Sequence, residues 1–234
     1  MMKRLLCLLM CLLAMNGISA ALAESEFTVR HGDRERPRIA ITVDDCYDVK
    51  QIQAMVELCE EYDVHMTFFV IGKALKYADT DVWQAVLDAG CEIGNHSWEH
   101  TNLTRLNAHQ IKFQMLRTQQ KLDEILGYHY PMQVLRPPQG KTNGTVASAI
   151  ADVGYLSIAR WDVSQTSAAQ ALKDTQNGSI LLYHARAKDV RCLEALIPDL
   201  LAQGYECVTV SELLDLPAIA TSSDIYIYQR ADAD

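Results

Sequence analysis

The chain has 234 residues, 49% of them hydrophobic, 22% charged and 7% aromatic, and its 11 Gly and 6 Pro carry no repeat, which excludes a disordered polymer, a collagen-like chain and a Pro-rich chain. The formal net charge is −9 and no basic run exists to neutralise phosphates, which excludes nucleic acid and an anionic membrane surface as partners. The length suits one domain, two at most.

Lys3 and Arg4 precede an apolar run, Leu5 to Ala14, and Ala21-Leu22-Ala23 forms a small-x-small site before Glu24. This is the three-part layout of a secretory signal peptide. The apolar run is about ten residues, short of the roughly 20 that a spanning helix needs. Leu8-Leu9-Met10 before Cys11 lacks the small residues of a lipoprotein site. The pattern predicts cleavage after Ala23, a secreted or cell-envelope location, and no transmembrane segment in the mature chain. Cleavage lowers Lys plus Arg from 21 to 19 and leaves Asp plus Glu at 30, so the mature charge is −11. Cys7 and Cys11 leave with the leader. Cys46, Cys59, Cys91, Cys192 and Cys207 remain, an odd set with no CxxC, in which Cys192 and Cys207 could pair.

Residues 24–37 read as a polar, irregular lead-in. From Arg38 short β-rich runs alternate with longer helical ones. Strands are predicted over Arg38–Val43, Met66–Val70, Glu92–Asn95, Val134–Arg136, Leu156–Ile158, Ser179–Tyr183 and Glu206–Thr209. Helices are predicted over Val49–Tyr62, Asp81–Asp88, Ala108–Leu126 with Asn107 as cap, Gly144–Asp152, Ala168–Asp174 and Val190–Gln203, with a short last one at Ser211–Leu214. Gly90, Gly127, Gly154 and Gly204 stand where a left-handed residue ends a helix. Repeated βα units imply a parallel sheet, and seven of them suggest a closed or nearly closed barrel: an α/β fold, a distorted (β/α)7-8 barrel with parallel strands. A tail, 217–234, follows the domain over 38–216, and Ile225-Tyr226-Ile227-Tyr228 could add an edge strand.

In such a barrel chemistry sits where strands end. The first strand runs into Asp44-Asp45. Either one carboxylate caps the next helix, or one binds a cation while the other takes a proton. The third strand runs into Asn95-His96-Ser97-Trp98-Glu99-His100, and His-x-x-x-His puts two imidazoles on one face of a helical turn, a spacing for sharing a divalent metal. With an Asp from another strand end, a His/His/Asp site with open coordination positions results. The fourth strand ends in Arg136-Pro137-Pro138-Gln139-Gly140, a rigid loop that either orients a carboxylate through Arg136 or is a surface turn. The sixth strand ends at His184, a packed core group or a proton carrier. His65, His109 and His129 are assigned to surface or ordinary packing.

Thr42-Val43-Asp44-Asp45, His96-Ser97-Trp98-Glu99-His100, Arg136-Pro137-Pro138-Gln139-Gly140 and Leu182-Tyr183-His184 occur in that order at strand ends. They resemble the motifs of the polysaccharide deacetylase family, carbohydrate esterase family 4. Met66–Gly72, Gly90–His96 and Gly204–Leu214 are similar too, so the likeness spans the domain 38–216. The resemblance implies metal-dependent hydrolysis of N- or O-acetyl groups, N-acetyl in the first place, on a cell-wall or chitin-like polysaccharide or oligosaccharide. It implies Asp44 as general base, and Asp45, His96 and His100 as ligands of a divalent metal, zinc or another such as cobalt. It also implies Arg136 as the residue that orients Asp44, the Gln139 backbone N–H as an oxyanion donor, and His184 as general acid. Leu182 would line the pocket for the acetyl methyl, and Trp161 stands with the substrate-side residues.

The chain departs from the family at three places. Cys46 replaces the usual Gly after the Asp pair, and is expected to be inert. Gln139 replaces an aromatic, so the groove loses a stacking face. After Trp161 the run Asp162-Val163-Ser164-Gln165-Thr166-Ser167-Ala168 puts Ser167 where a carboxylate should tune the acid histidine and Ala168 where a pocket Trp should stand, with Asp162 as a possible substitute. Slowed or retuned catalysis with an intact metal site is the expectation. The alternative is a degenerate member that binds glycan or metal without turnover.

Overall fold

The computed structural model describes residues 27–225. The predicted leader lies outside the described residues, as does most of the Ile225–Tyr228 segment. The elements in chain order are β1 (Thr28–Val29), β2 (Arg38–Asp45), α1 (Val49–Tyr62), β3 (Met66–Val70), α2 (Thr80–Asp88), β4 (Glu92–Asn95), α3 (Ala108–Leu126), β5 (Val134–Leu135), α4 (Gly144–Ala151), β6 (Ser157–Ala159), α5 (Ala168–Asp174), β7 (Ile180–His184), α6 (Ala187–Ala202), β8 (Glu206–Cys207) and α7 (Val210–Leu213). The strands pair in parallel in the order β1-β6-β5-β4-β3-β2-β7, and β8 pairs with the start of β2.

The local signals explain most of this. Central strands are apolar on both faces because helices cover one side and the curled sheet encloses the other; β3 is buried throughout and β2 over six consecutive residues. Asn107 caps α3 with a reciprocal pair, its Oδ1 accepting from Gln110 N at 2.9 Å and Gln110 Oε1 accepting from Asn107 N at 3.1 Å. The helix-ending glycines Gly90, Gly127, Gly154 and Gly204 all have positive φ, from 73° to 89°.

Two differences matter. The lead-in is not irregular: Thr28–Val29 forms β1 and pairs with Ile158–Ala159 of β6. The barrel closes through loops rather than a continuous strand ladder. His31 bridges to Ser179, Gly32 N donates to Gly178 O at 2.7 Å, and Leu182 N donates to Val163 O at 2.9 Å. Gly178 has φ 75°, and a Cβ there would lie 2.7 Å from Gly32 O, so only glycine admits this approach. The result is the expected parallel, distorted barrel, curled and laced across its opening. Cys46, Cys59, Cys91, Cys192 and Cys207 are all buried free thiols, so Cys192 and Cys207 do not pair. Among the described residues no helix is long and apolar enough to cross a membrane.

Candidate active site

Strand register gathers the site. Asp44 lies opposite Phe69 of β3 and His184 of β7, Asp45 lies opposite Val70, and Asn95 lies opposite Val70 and Leu135. One rim at the strand C-terminal ends therefore holds the Asp pair, the histidine loop after Asn95, Arg136 after Leu135, and His184.

Arg136 is fully buried, which rules out the surface-turn alternative. Its Nη1 donates to Asp44 Oδ1 at 2.9 Å and to Thr42 Oγ1 at 2.5 Å. Its Nε and Nη2 donate to the carbonyls of Ala159 and Arg160, both at 2.9 Å. The guanidinium lies 4.3 Å from the Phe69 ring centroid. Burial pulls this guanidinium down and Asp44 pulls it back up. Arg136 thus pins one oxygen of Asp44 and leaves Oδ2 facing His96 Nε2 at 3.8 Å. Neither Asp44 nor Asp45 caps α1; Asp48 does, its Oδ1 accepting from Lys50 N at 3.1 Å.

The chain after β2 turns through two consecutive left-handed residues, Asp45 (φ 70°) and Cys46 (φ 56°). This is the physical reason a glycine suits position 46. The Cys46 Sγ donates to Val43 O at 3.5 Å, and burial, with Asp44 and Asp45 adding, pushes the thiol well up. A protonated, inward-turned thiol is a poor metal ligand.

The histidine spacing works through a loop, not a helical turn. Ser97 (φ 70°) and His100 (φ 59°) are both left-handed. Asn95 Oδ1 accepts from Ser97 N at 2.8 Å, Ser97 Oγ accepts from His100 N at 3.0 Å, and Gln114 Oε1 of α3 accepts from Trp98 N at 3.0 Å and Glu99 N at 3.2 Å. The two rings end 4.9 Å apart, centroid to centroid. Asp45 Oδ1 stands 3.6 Å from Nε2 of each histidine, and the three donor atoms lie within 4.8 Å of one another. Ligands at about 2.1 Å from a tetrahedral ion stand about 3.4 Å apart, so the set fits a small divalent cation. His96 Nδ1 donates to Arg136 O at 2.7 Å, which leaves Nε2 with its lone pair toward Asp45. Burial holds the His96 imidazole below its ordinary value, against the pull of Asp44, Arg136 O and Asp45, and so favours the neutral ligand form.

His184 Nε2 lies 4.0 Å from Asp45 Oδ2, with the side chain 31% exposed. Arg186 Nη2 approaches the same oxygen at 3.8 Å. Asp45, Tyr47, His184 and Arg186 line a cavity of about 360 Å³. Leu182 lies opposite Thr42, and Trp161 stands with Gly140 beneath the Arg136 guanidinium, 5.7 Å from it. Gln139 is exposed on a left-handed residue, φ 61°. Asp162 does not replace the missing carboxylate. Its oxygens accept from Arg34 Nη2 at 2.7 Å, Ser179 Oγ at 3.0 Å and Ile180 N at 2.9 Å, at the start of β7 whose end carries His184. Ser167 only precedes α5, without a capping bond. His65 and His129 pair with Glu212 and Asp123, away from the rim.

The sequence reading quoted Thr42 in a motif without giving it a role, and missed Gln114 and Arg186. Thr42 shares a strand face with Asp44 by alternation, a usable signal. Gln114 sits on a helix far along the chain and gave none.

The family model for polysaccharide deacetylases matches residues 31–158. This chain belongs to the polysaccharide deacetylase family. A bifunctional xylanase/deacetylase of Pseudobutyrivibrio xylanivorans is 30% identical over 202 residues, 82% of this chain and 33% of that protein. The peptidoglycan-N-acetylmuramic acid deacetylase PdaC of Bacillus subtilis (strain 168) is 30% identical over 191 residues, 77% of this chain and 39% of that protein. The chain thus spans a minor part of the length of these relatives. Among solved structures, a mutant with restored enzymatic activity of a carbohydrate esterase family 4 pseudoenzyme is 25% identical with a TM-score of 0.72, covering 80% of this chain and 71% of that one; the wild-type pseudoenzyme is from Bacillus anthracis. Within this polysaccharide deacetylase family member, the match ends at residue 158, before the run from Asp162 to Ala168.

Proposed function

We propose that this chain is an exported, metal-dependent deacetylase that removes acetyl groups, N-acetyl in the first place, from a cell-wall or chitin-like polysaccharide. One observation carries the reading: the donors of Asp45, His96 and His100 converge within 4.8 Å beside an Asp44 whose second oxygen is left open by Arg136. The names of the relatives support a glycan substrate, and the layout of residues 1–23 supports export with cleavage after Ala23.

Asp45, His96 and His100 would hold the cation, zinc or another divalent ion such as cobalt, which supplies Lewis acidity to the acetyl carbonyl and to water. The remaining steps belong to the chain's own residues. Asp44 Oδ2 accepts the proton of the attacking water while Arg136 keeps Oδ1 in place. The Gln139 N–H, turned by its left-handed φ, donates to the developing oxyanion. Leu182 borders the acetyl methyl and Trp161 backs the groove. His184 hands a proton to the leaving amine or alkoxide. Tyr47, 62% exposed at the rim, offers a sugar-stacking face where Gln139 supplies none.

A second reading is a glycan-binding member with little or no turnover. It is favoured by Asp162, whose bonds to Arg34 and Ser179 leave His184 without the carboxylate partner expected from that segment. Acetate release from peptidoglycan, chitooligosaccharide and acetylxylan, with zinc or cobalt and then with chelator, separates the two. The deacetylase reading expects metal-dependent release that falls about 10²–10⁴-fold in His184→Ala. A metal-loaded chain that releases acetate from none of the three supports the second.

A further inference from the structure

Of the buried free thiols, two touch. Cys59, near the end of α1, and Cys91, just before β4, hold their Sγ atoms 3.5 Å apart although they stand 32 residues apart in the chain. Among the described residues this is the one sulfur–sulfur hydrogen bond. Cys46 Sγ donates to Val43 O at 3.5 Å and Cys192 Sγ to Tyr183 Oη at 3.9 Å, while Cys207 of β8 is bonded to neither member of the pair.

The two sulfurs are not equivalent. Cys91 Sγ also accepts from Met66 N at 3.4 Å. The bond from Cys59 pulls the Cys91 thiol below its ordinary value, against burial and with help from the Met66 N–H. The same bond, with burial and the neighbouring Cys91 and Cys207, pushes the Cys59 thiol up. One sulfur therefore gives up its proton more readily and the other keeps it, which is the division between an attacking and a resolving thiol.

We propose that Cys59 and Cys91 are a redox pair that closes to a disulfide on reaction with an organic disulfide, joining the end of α1 to the start of β4. This goes beyond the deacetylase reading and does not depend on it. The Cys91 thiolate attacks one sulfur of the reagent, whose S–S bond breaks and whose other half leaves as a thiol. Cys59 then attacks Cys91 Sγ, gives up its proton, and releases the second half as a thiol. Two protein thiols are oxidised and one organic disulfide is reduced to two thiols. The sulfurs must approach by about 1.5 Å, a side-chain movement. Both are buried, so the exchange takes place as the chain folds or when this part of the core opens.

The position gives the bond a consequence. Helix α1 follows the turn through Asp45, and β4 leads into Asn95 and His96, so the cross-link ties together the two segments that carry Asp45, His96 and His100. It closes a loop that holds β3 and α2, which limits the freedom of the unfolded chain and stabilises the folded one.

The test is to unfold the mature chain and refold it in oxidised or in reduced glutathione, alkylate the free thiols and map the peptides by mass spectrometry. The oxidised sample is expected to hold a Cys59–Cys91 disulfide with Cys46, Cys192 and Cys207 alkylated, and the reduced sample to be alkylated at all five. The oxidised chain is expected to melt about 5 °C or more above the reduced one, a difference that dithiothreitol reverses and that Cys59→Ala/Cys91→Ala lacks. Refolding in oxidised glutathione that leaves Cys59 and Cys91 alkylated overturns the pair, and needs no variant to fold. So does a disulfide from either to Cys207, a glutathione adduct that persists on Cys91, or a melting temperature that the bond does not raise.

Discussion

Two carboxylates are buried at opposite ends of the sheet, and they are balanced differently. Asp44 closes β2 at the C-terminal rim, 4% exposed, ion-paired to Arg136 at 2.9 Å. Glu92 opens β4 at the other end, 2% exposed, and accepts from Thr67 Oγ1 at 2.9 Å, from Ser211 N at 3.1 Å and from the Ser211 hydroxyl, and among the described residues it makes no ion pair. Burial pushes Glu92 above the ordinary carboxylate value while those bonds pull it down. A guanidinium offsets the charge of a buried carboxylate and fixes one of its oxygens; hydroxyls and an amide only satisfy its hydrogen bonds. The rim also concentrates the left-handed non-glycine residues: Asp45, Cys46, Ser97, His100 and Gln139 all stand there. Such backbone is found where a site has been assembled against local preference.

The comparison breaks most visibly at Asp44. Asp44→Asn is expected to cut acetate release about 10²–10⁴-fold while the variant still binds one divalent ion per chain. Turnover near that of wild type would remove Asp44 from proton transfer.

Glu92→Gln sharpens the other side, and its readout is stability. Glu92 holds its proton more firmly in the folded chain than its ordinary 4.5. That contribution is fully present below pH 4.5 and is lost as pH rises through the higher folded value. The variant should therefore gain on wild type in thermal unfolding as pH rises from 4 to 8, by about 1.4 kcal/mol for each pH unit separating the two values. A difference flat with pH would contradict the assignment. Metal binding should be untouched.

The smallest effect is expected at Cys46→Gly. Relief of a left-handed residue is worth about 1 kcal/mol and offsets the lost burial of the thiol, so unfolding free energy should stay within about 1 kcal/mol of wild type. Bound metal, measured by mass spectrometry, should not change. A fall in metal content would make the thiol a ligand after all.

Much of this was legible in the chain. Alternation and helical spacing placed α1, α3, α5, β3 and β4 with their observed bounds, and the ends of the other long elements moved by a few residues. The Asp pair, both histidines, Arg136 and His184 all come to one rim, because parallel register aligns strand ends. What failed were inferences from short range. His96 and His100 looked like a helical pair by spacing, but Ser97 and His100 turn left-handed and Gln114 holds the loop from a distant helix. Asp162 looked available to His184 by proximity in the run, but strand pairing carries it to the opposite end of β7. Arg186, 3.8 Å from Asp45, carries no pattern of its own.

The sequence by itself determined the element order, the helix caps and stops, and which residue types stand at strand ends, because these follow from periodicity, side-chain shape and backbone preference over a few residues. Only the tertiary structure decided that Arg136 is buried against Asp44, that Thr28–Val29 completes the sheet, and that the barrel closes through His31–Gly32 and Val163. Those contacts join residues far apart in the chain, and their energies depend on burial and on partners that no local window contains.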